Sequence, residues 1–335
     1  ARRALRGLEN TTPSLFSPSS YKTYVQLWWG EPAKPSGAST SIARGRALAE
    51  SNQRSMEARP TPAVNLLTGK SYPHHPVMMQ VDLGPFPVEE DTLIEWNGLR
   101  VPAHLDCDIF NNNTAWGNHF YFSEQASRWI TCWEHHSAVR SGLRATLKQL
   151  PVVDEEYSEL VATFESVLRA RPSQPYVVAE LGARWGTWGA RAVAFLRHRR
   201  PELDYQINLV ESKPQSCRAI HEVMALNGFT NYSVSCGVAN SKDLRQWLGT
   251  VSHVDLMDFD VQGAEHPLIR NTISAIEAKA YRLVIGTHLG PSKHEELKKY
   301  LLNRGWLLVS EMKHSQPEHR DCIEFAFRGR SQTRR

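Results

Sequence analysis

The residues with the clearest chemical meaning are two acidic side chains and two glycines, spread over consecutive strand–helix units. Glu180 lies at the end of an apolar run, Gly182 and Gly186 follow it in a short turn, and Glu211 ends the next apolar run. Glycine lets a backbone approach a ligand closely, and the helix that follows offers unpaired N–H groups. A carboxylate at the tip of a second strand can accept both hydroxyls of a ribose. The pattern predicts a nucleoside-binding edge.

The glycine spacing and the first acid decide between two kinds of nucleoside cofactor. Dinucleotide folds space their glycines G-x-G-x-x-G and place the pyrophosphate at this corner. Here the spacing is Gly182-x-x-x-Gly186, and the Glu180 carboxylate would repel a pyrophosphate. A carboxylate suits a ligand that carries an ammonium group or a sulfonium. We therefore expect S-adenosylmethionine (SAM) as the cofactor, and a nicotinamide-dependent oxidoreductase is excluded.

A second group of polar residues follows two later apolar runs. Asp258 and Asp260 end one run, His288 ends the next, and Glu265 follows a Gly-containing turn. Reacting groups gather beyond the carboxyl ends of the strands in doubly wound sheets. His288 is the general-base candidate, since a neutral imidazole can take a proton near neutral pH. Asp260 is expected to hold the acceptor or the sulfonium, or to cap a helix, and no metal site is predicted.

Alternating strand and helix patterns must position these residues. From Pro175 onward, apolar runs of strand length alternate with amphipathic segments, and two final strands have no helix between them. This order predicts an α/β, Rossmann-like, doubly wound and mostly parallel seven-stranded sheet, with an antiparallel hairpin at one edge. An amphipathic helix starting near Tyr157 precedes the alternation, and Asn97-Gly98 predicts a hairpin turn of type I′ further upstream.

Four segments resemble the FkbM family of class I SAM-dependent methyltransferases. They are Ala179-Glu-Leu-Gly-Ala-Arg-Trp-Gly-Thr-Trp188; Val210-Glu-Ser-Lys-Pro214 with Asn227-Gly228; Asp260-Val-Gln-Gly-Ala-Glu265; and Ile285-Gly-Thr-His288. The resemblance covers roughly residues 150–327 and implies O-methylation of a hydroxyl on a sugar or other small molecule. Arg184 departs from the family pattern by replacing a small residue, and Gln262 by replacing an acid.

The predicted site combines the chemical pattern with the resemblance. The cofactor-binding residues are Glu180, Gly182, Ala183, Gly186, Glu211 and Asp258, and the catalytic residues are His288, Asp260 and Glu265. The predicted function is a SAM-dependent O-methyltransferase. The alternative is a non-catalytic, methyltransferase-like structural or binding subunit of a larger assembly, because Arg184 stands in the loop that approaches SAM.

Charge and composition divide the chain into four parts. Residues 1–75 hold 10 Lys+Arg and 4 acids, and the last eight residues hold four Arg and no acid, which leaves 25 basic and 31 acidic residues between them. We predict an extended basic segment at 1–75, an aromatic-rich subdomain at 76–150, the methyltransferase domain at 151–328 and a basic tail at 329–335.

The same counts shape the expected partners and compartment. The acidic centre argues against nucleic acid as a partner, the family resemblance implies a small hydroxylated acceptor, and residues 1–75 are a candidate protein-binding arm. No apolar run is long enough to span a membrane. Five cysteines without a C-x-x-C pair favour reduced thiols in an intracellular protein. An Arg- and Ser-rich, acid-poor beginning is also typical of transit segments, so an organelle stays open.

Overall fold

A computed structural model describes most of the chain after Pro60. The described residues are 63–64, 71–72, 75–81, 84–107, 126–147, 150–151, 156–313 and 323–328. Most of the predicted N-terminal segment, the predicted tail and the aromatic residues between 108 and 125 lie outside these ranges. The predictions made for them therefore stay predictions.

The described elements alternate between strands and helices after residue 170, as the sequence predicts. In chain order they are β1 Ala63–Val64, β2 Ser71–Tyr72, β3 Phe86–Pro87, β4 Thr92–Ile94, β5 Arg100–Pro102, α1 Ala103–Asp106, α2 Ala126–Arg140, β6 Ala145–Thr146, α3 Tyr157–Leu168, β7 Tyr176–Leu181, α4 Thr187–Arg199, β8 Tyr205–Glu211, α5 Pro214–Leu226, β9 Tyr232–Cys236, α6 Ser241–Thr250, β10 Leu256–Phe259, α7 Glu265–Lys279, β11 Arg282–Thr287, α8 Gly290–Asn303, β12 Leu307–Lys313 and β13 Ile323–Arg328.

The main sheet has the strand order β12-β13-β11-β10-β7-β8-β9. Strands β7 to β11 are parallel to one another, and β13 is antiparallel to both of its neighbours, β11 and β12. The last strand is thus inserted between β11 and the outer strand β12. From β7 the chain adds β8 and β9 on one side, and it then adds β10 on the other side of β7. The loops after β7 and β10 therefore lead to opposite faces of the sheet and leave a crevice between them. The predicted Rossmann-like α/β architecture is confirmed.

Apolar cores lie on both faces of this sheet. Helices α3, α4 and α5 cover one face, where Phe164, Phe195 and Ile220 are buried. Helices α6, α7 and α8 cover the other, around Leu248 and Ile269. Strand β7 is buried along all six residues because it lies at the centre between both layers. A central strand of this kind fixes the residues at its end rigidly.

The strands β4 and β5 form the hairpin predicted around Asn97-Gly98, but its turn is longer than predicted. The Glu95 backbone N–H donates to the Leu99 carbonyl at 2.8 Å, which leaves a three-residue loop. Gly98 has a positive φ of 83°, whereas Asn97 does not, so this is not a type I′ turn. Trp96 in the loop is buried against Phe164, with ring centroids 5.5 Å apart. The hairpin therefore packs into the core of the main sheet.

The cysteines correct another expectation. Cys107 and Cys132 form a disulfide that joins the end of α1 to α2, with Cα atoms 5.5 Å apart. Cys217 and Cys236 are also paired, between α5 and β9. The expectation of reduced thiols is therefore wrong for these four residues. Odd cysteine number and missing C-x-x-C spacing could not reveal it, because the partners meet only in the fold.

Membrane insertion can be judged from the helices. Among the residues that the structure describes, no helix combines the length and the apolar character needed to cross a bilayer.

Candidate functional site

The loop after β7 is the predicted glycine-rich turn, and Gly182 is tied to the end of β10. The backbone N–H groups of Gly182 and Ala183 both donate to the Val210 carbonyl, at 2.9 and 3.0 Å. Gly182 has a φ of 90°, and a Cβ atom at this position would lie 1.7 Å from the Asp260 carbonyl oxygen. Only glycine fits there. The turn ends at Gly186, which precedes α4 with a φ of 87°.

Glu180 lies under this turn rather than in an open corner. Its carboxylate is buried and accepts hydrogen bonds from the backbone N–H groups of Trp188 and Gly189, at 3.2 and 2.9 Å. Desolvation raises the pKa of Glu180 to about 8, and these two bonds oppose that rise. The residue thus caps the start of α4 and places an ionisable group directly behind the loop.

Glu211 lies at the tip of β8, where the sequence predicts it. Its two carboxylate oxygens accept hydrogen bonds from the backbone N–H groups of Arg184 and Lys213, each at 2.7 Å. The carboxylate therefore holds the loop after β7 against the loop after β8. Oε1 also accepts from the Ser212 hydroxyl at 3.4 Å, so Oε2, with its second lone pair, is the oxygen that retains capacity to accept a ligand hydroxyl.

The side chain of Arg184 extends toward the N-terminal hairpin region. Its backbone has a φ of 51°, and one guanidinium nitrogen lies 3.8 Å from a carboxylate oxygen of Asp106. Asp106 is buried and also pairs with the Arg128 Nε atom at 2.9 Å. Burial opposes ionisation here, but the Arg128 and Arg184 guanidinium groups hold the pKa of Asp106 below its ordinary value. A carboxylate in α1 therefore anchors Arg184.

Asp258 and Asp260 lie at the end of β10. Asp258 is buried and pairs in register with Glu180 on β7 and Val284 on β11. The Asp260 side chain is 41% exposed, and its Oδ1 atom lies 3.4 Å from His288 Nε2. Desolvation raises the pKa of Asp260, and His288 opposes the rise when its imidazole is protonated. No side-chain cap hydrogen bond starts α7, so the helix-capping interpretation of Asp260 is not what the structure shows.

Glu265 and His288 form a carboxylate–imidazole pair. His288 Nδ1 lies 2.9 Å from Glu265 Oε1. The same buried carboxylate accepts hydrogen bonds from the backbone N–H groups of Val261 and Gly263, at 3.0 and 3.1 Å. Glu265 therefore fixes both the turn around Gly263 and the orientation of the imidazole. This arrangement leaves His288 Nε2 as the atom that can exchange a proton with a ligand.

Two further parts of the site escaped prediction from the sequence. Gln262 lies beside His288 and Asp260, and its only sequence signal was a departure from the family pattern. Behind the loop, the buried Arg191 guanidinium makes a bidentate ion pair with Glu95 at 2.8–3.2 Å, over the Trp188 ring. An arginine in a helix and a glutamate in a distant hairpin share no sequence signal.

Asp260, Glu265 and His288 could each offer one ligand atom to a metal ion, since these atoms lie within 4.8 Å of one another. The Glu265 Oε1 atom already accepts three hydrogen bonds. In this structure the three residues are therefore joined by hydrogen bonds. A second such group, His294, Glu295 and Glu311, has the Lys298 ammonium between its two carboxylates, at 2.6 and 3.0 Å. That ammonium occupies the position where a cation would bind.

Comparison with known proteins supports the fold. No family model matches the chain. A putative methyltransferase from Jannaschia sp. (strain CCS1) is 24% identical over 200 residues, which cover 46% of this chain and 69% of that protein. Aeropyrum pernix fibrillarin, solved with natively bound SAM, is 16% identical with a TM-score of 0.35, covering 50% of this chain and 74% of its own. An rRNA methylase from Streptococcus thermophilus is 10% identical with a TM-score of 0.37, covering 52% and 95%.

The strand order and the relative together indicate a methyltransferase-like fold of the class I SAM-dependent type. SAM is the cofactor that this class uses. The resemblance to the FkbM family stays a prediction, since no family model supports it.

The predicted partners need correction. The acidic centre of the chain led to the expectation that nucleic acid is not a partner. That expectation is wrong, because net charge summed over a sequence does not show where charge lies on the surface.

Proposed function

We propose that this chain transfers the methyl group of SAM to a hydroxyl oxygen of an acceptor. The observation that carries the proposal is the position of Asp260. Its carbonyl oxygen contacts Gly182 in the cofactor loop, and its carboxylate lies beside the His288 imidazole. The predicted cofactor loop and the predicted base therefore adjoin at one edge of the sheet.

In this proposal, SAM lies along the edge formed by the loops after β7 and β8. The tight turn between Gly182 and Gly186 brings the backbone, including Ala183, close to the methionine part. Glu211 accepts the ribose hydroxyls, and Asp258 and the ionised form of Glu180 provide negative charge behind the cationic sulfonium. The Arg184 guanidinium turns toward Asp106, which supports an open cofactor position.

The reaction is an in-line displacement at the methyl carbon. Bound SAM would supply the electrophilic methyl group: as the acceptor oxygen bonded to the methyl carbon, the electron pair of the breaking carbon–sulfur bond would stay on sulfur and leave the demethylated cofactor. The hydroxyl proton passes to His288 Nε2, and Glu265 stabilises the resulting imidazolium through Nδ1. Asp260, at 3.4 Å from Nε2, is placed to hold the acceptor.

The first test is SAM binding by calorimetry, using the full chain. We expect micromolar binding that weakens at least about tenfold in Glu211→Ala, the loss of a charge-assisted contact. Glu202→Ala is the matched control. Glu202 is an exposed carboxylate that pairs with Arg200, and both residues follow the C-terminal end of α4, whereas the glycine-rich turn precedes its N-terminal end. If neither SAM nor its demethylated product binds the wild-type chain, the proposal is wrong.

The second test separates binding from chemistry. Transfer of labelled methyl from SAM is measured in separate reactions with total RNA and with a metabolite extract. We expect His288→Asn to bind SAM like the wild type and to lose at least about 100-fold in transfer, the usual contribution of a general base. SAM binding without transfer to either material would instead support the non-catalytic alternative.

A further inference from the structure

Gln262 lies between Asp260 and His288, the two residues proposed to act on the acceptor. Its Nε2 atom lies 2.8 Å from Asp260 Oδ1 and 3.1 Å from His288 Nε2. Its backbone has a φ of 51°, in the left-handed region that few non-glycine residues adopt. This backbone turns the side chain back over the end of β10, toward both partners.

The hydrogen-bonding capacity of the three groups determines how the amide is oriented. If the Gln262 oxygen faced Asp260, two acceptor oxygens would lie 2.8 Å apart, which is repulsive. With Asp260 ionised, the amide NH₂ group must therefore face it. Since the same nitrogen carries two hydrogens, one can donate to Asp260 and the other to His288 Nε2.

The protonation of His288 follows from its two neighbours. Glu265 Oε1 accepts backbone N–H bonds, so it also acts as an acceptor toward His288 Nδ1, which carries the proton. Nε2 then presents a lone pair to the Gln262 N–H. A doubly protonated imidazole would place two donors against each other at 3.1 Å unless its Nε2–H turned to Asp260 Oδ1, which lies farther away, at 3.4 Å, and already accepts from Gln262.

We propose that Gln262 is a positioning residue that keeps His288 neutral, with its lone pair on Nε2 reserved for the acceptor hydroxyl. The inference rests on the proposed function of the same site. Gln262 is itself exposed, whereas His288 is only 19% exposed, so the amide can swing away when an acceptor enters. A glutamate at this position would reverse the effect, because its carboxylate accepts a proton donor rather than donating one.

Other charged groups surround His288 and must be considered. Asp260 and Glu265 face it directly, and both favour the imidazolium. His266, Lys293 and His294 line the small cavity beside it. His266 and Lys293 both face Glu296, at 3.5 and 2.8 Å, and His294 faces Glu311 at 3.2 Å. The Arg184 guanidinium, which lowers the pKa of Asp260, and the Lys293 ammonium in the same cavity also oppose protonation of His288, and Gln262 is the group that does so in direct contact with Nε2.

The test is an NMR titration of ¹³C-labelled histidines in the full chain without SAM, with His288 assigned by its missing signal in His288→Gln. We expect Gln262→Glu to raise the pKa of His288 by at least one unit, and Gln262→Met to raise it by less. Gln246→Glu, which adds the same charge on the exposed surface of α6, is the matched control and should leave it unchanged.

Two results would overturn the inference. One is an unchanged His288 pKa in Gln262→Met, which removes the N–H donor without adding charge; the other is a rise in Gln246→Glu equal to that in Gln262→Glu. Because this readout needs neither SAM nor an acceptor, it stands apart from failure of the proposed methyl transfer. Where transfer is measurable, the acid limb of its pH profile should move upward by the same amount in Gln262→Glu.

Discussion

The close contact between Gly182 and Asp260 predicts an unusually costly glycine-to-alanine substitution. In Gly182→Ala the new Cβ would lie 1.7 Å from the Asp260 carbonyl oxygen, whereas ordinary contacts begin near 3.4 Å. The end of β10 would have to move by the difference, 1.7 Å. That movement breaks the hydrogen bond from the Asp260 N–H to the Leu181 carbonyl, now 2.9 Å long.

The expected magnitude has two parts. A left-handed alanine costs about 1–2 kcal/mol, and the lost buried hydrogen bond costs about 1–1.5 kcal/mol more. We therefore expect the free energy of unfolding to fall by about 3 kcal/mol, together with a loss of SAM binding. Urea denaturation followed by circular dichroism measures the first quantity, and calorimetry measures the second.

Gly228→Ala provides the matched control for this experiment. Gly228 also has a positive φ, 59°, but no atom lies within 4 Å of the position that a Cβ would take there, so only the backbone strain applies. We expect a loss of about 1–2 kcal/mol there and unchanged SAM binding. Equal losses of stability in the two variants would refute the reasoning, since the contact with Asp260 would then cost nothing.

Three further predictions concern ionisable groups. Since the pKa of Glu180 is about 8 without ligand, SAM affinity should rise between pH 7 and 9 as the carboxylate ionises, and Glu180→Gln should flatten this dependence in calorimetric titrations. Desolvation lowers the pKa of the buried His294 from 6.5 to about 4, so the unfolded chain takes up its proton first. The free energy of unfolding should therefore fall as pH drops from 6.5 toward 4, and more steeply than in His294→Gln, when both are measured by urea denaturation. Arg191→Met should cost about 3–5 kcal/mol by leaving the Glu95 carboxylate buried without its partner, and the added Glu95→Gln substitution should recover part of that loss in the same assay.

The sheet was predictable because its signals are local. The strands Tyr176–Leu181 and Arg282–Thr287 lie in the region of predicted alternation, since apolar runs of strand length mark buried parallel strands. Glu211 and His288 lie at the tips of their strands for the same reason.

The remaining features depend on contacts that a linear pattern does not contain. The Glu180 carboxylate was expected to face a ligand, but it bonds to amides of α4, because helix starts attract buried carboxylates. The pairing of Cys107 with Cys132 and of Arg191 with Glu95 joins elements far apart in the chain. Such partners are fixed by packing, which spacing alone does not encode.

The ion pair between Arg191 and Glu95 limits how this protein can be divided. A truncated chain that starts near residue 151 would retain every strand of the main sheet, yet it would keep the Arg191 guanidinium in the interior with Glu156, at 3.3 Å, as its remaining carboxylate partner. It would also uncover Phe164, which Trp96 now covers. The β4–β5 hairpin therefore completes the core of the main sheet. We expect the smallest part of the chain that folds on its own to begin before this hairpin rather than near residue 151.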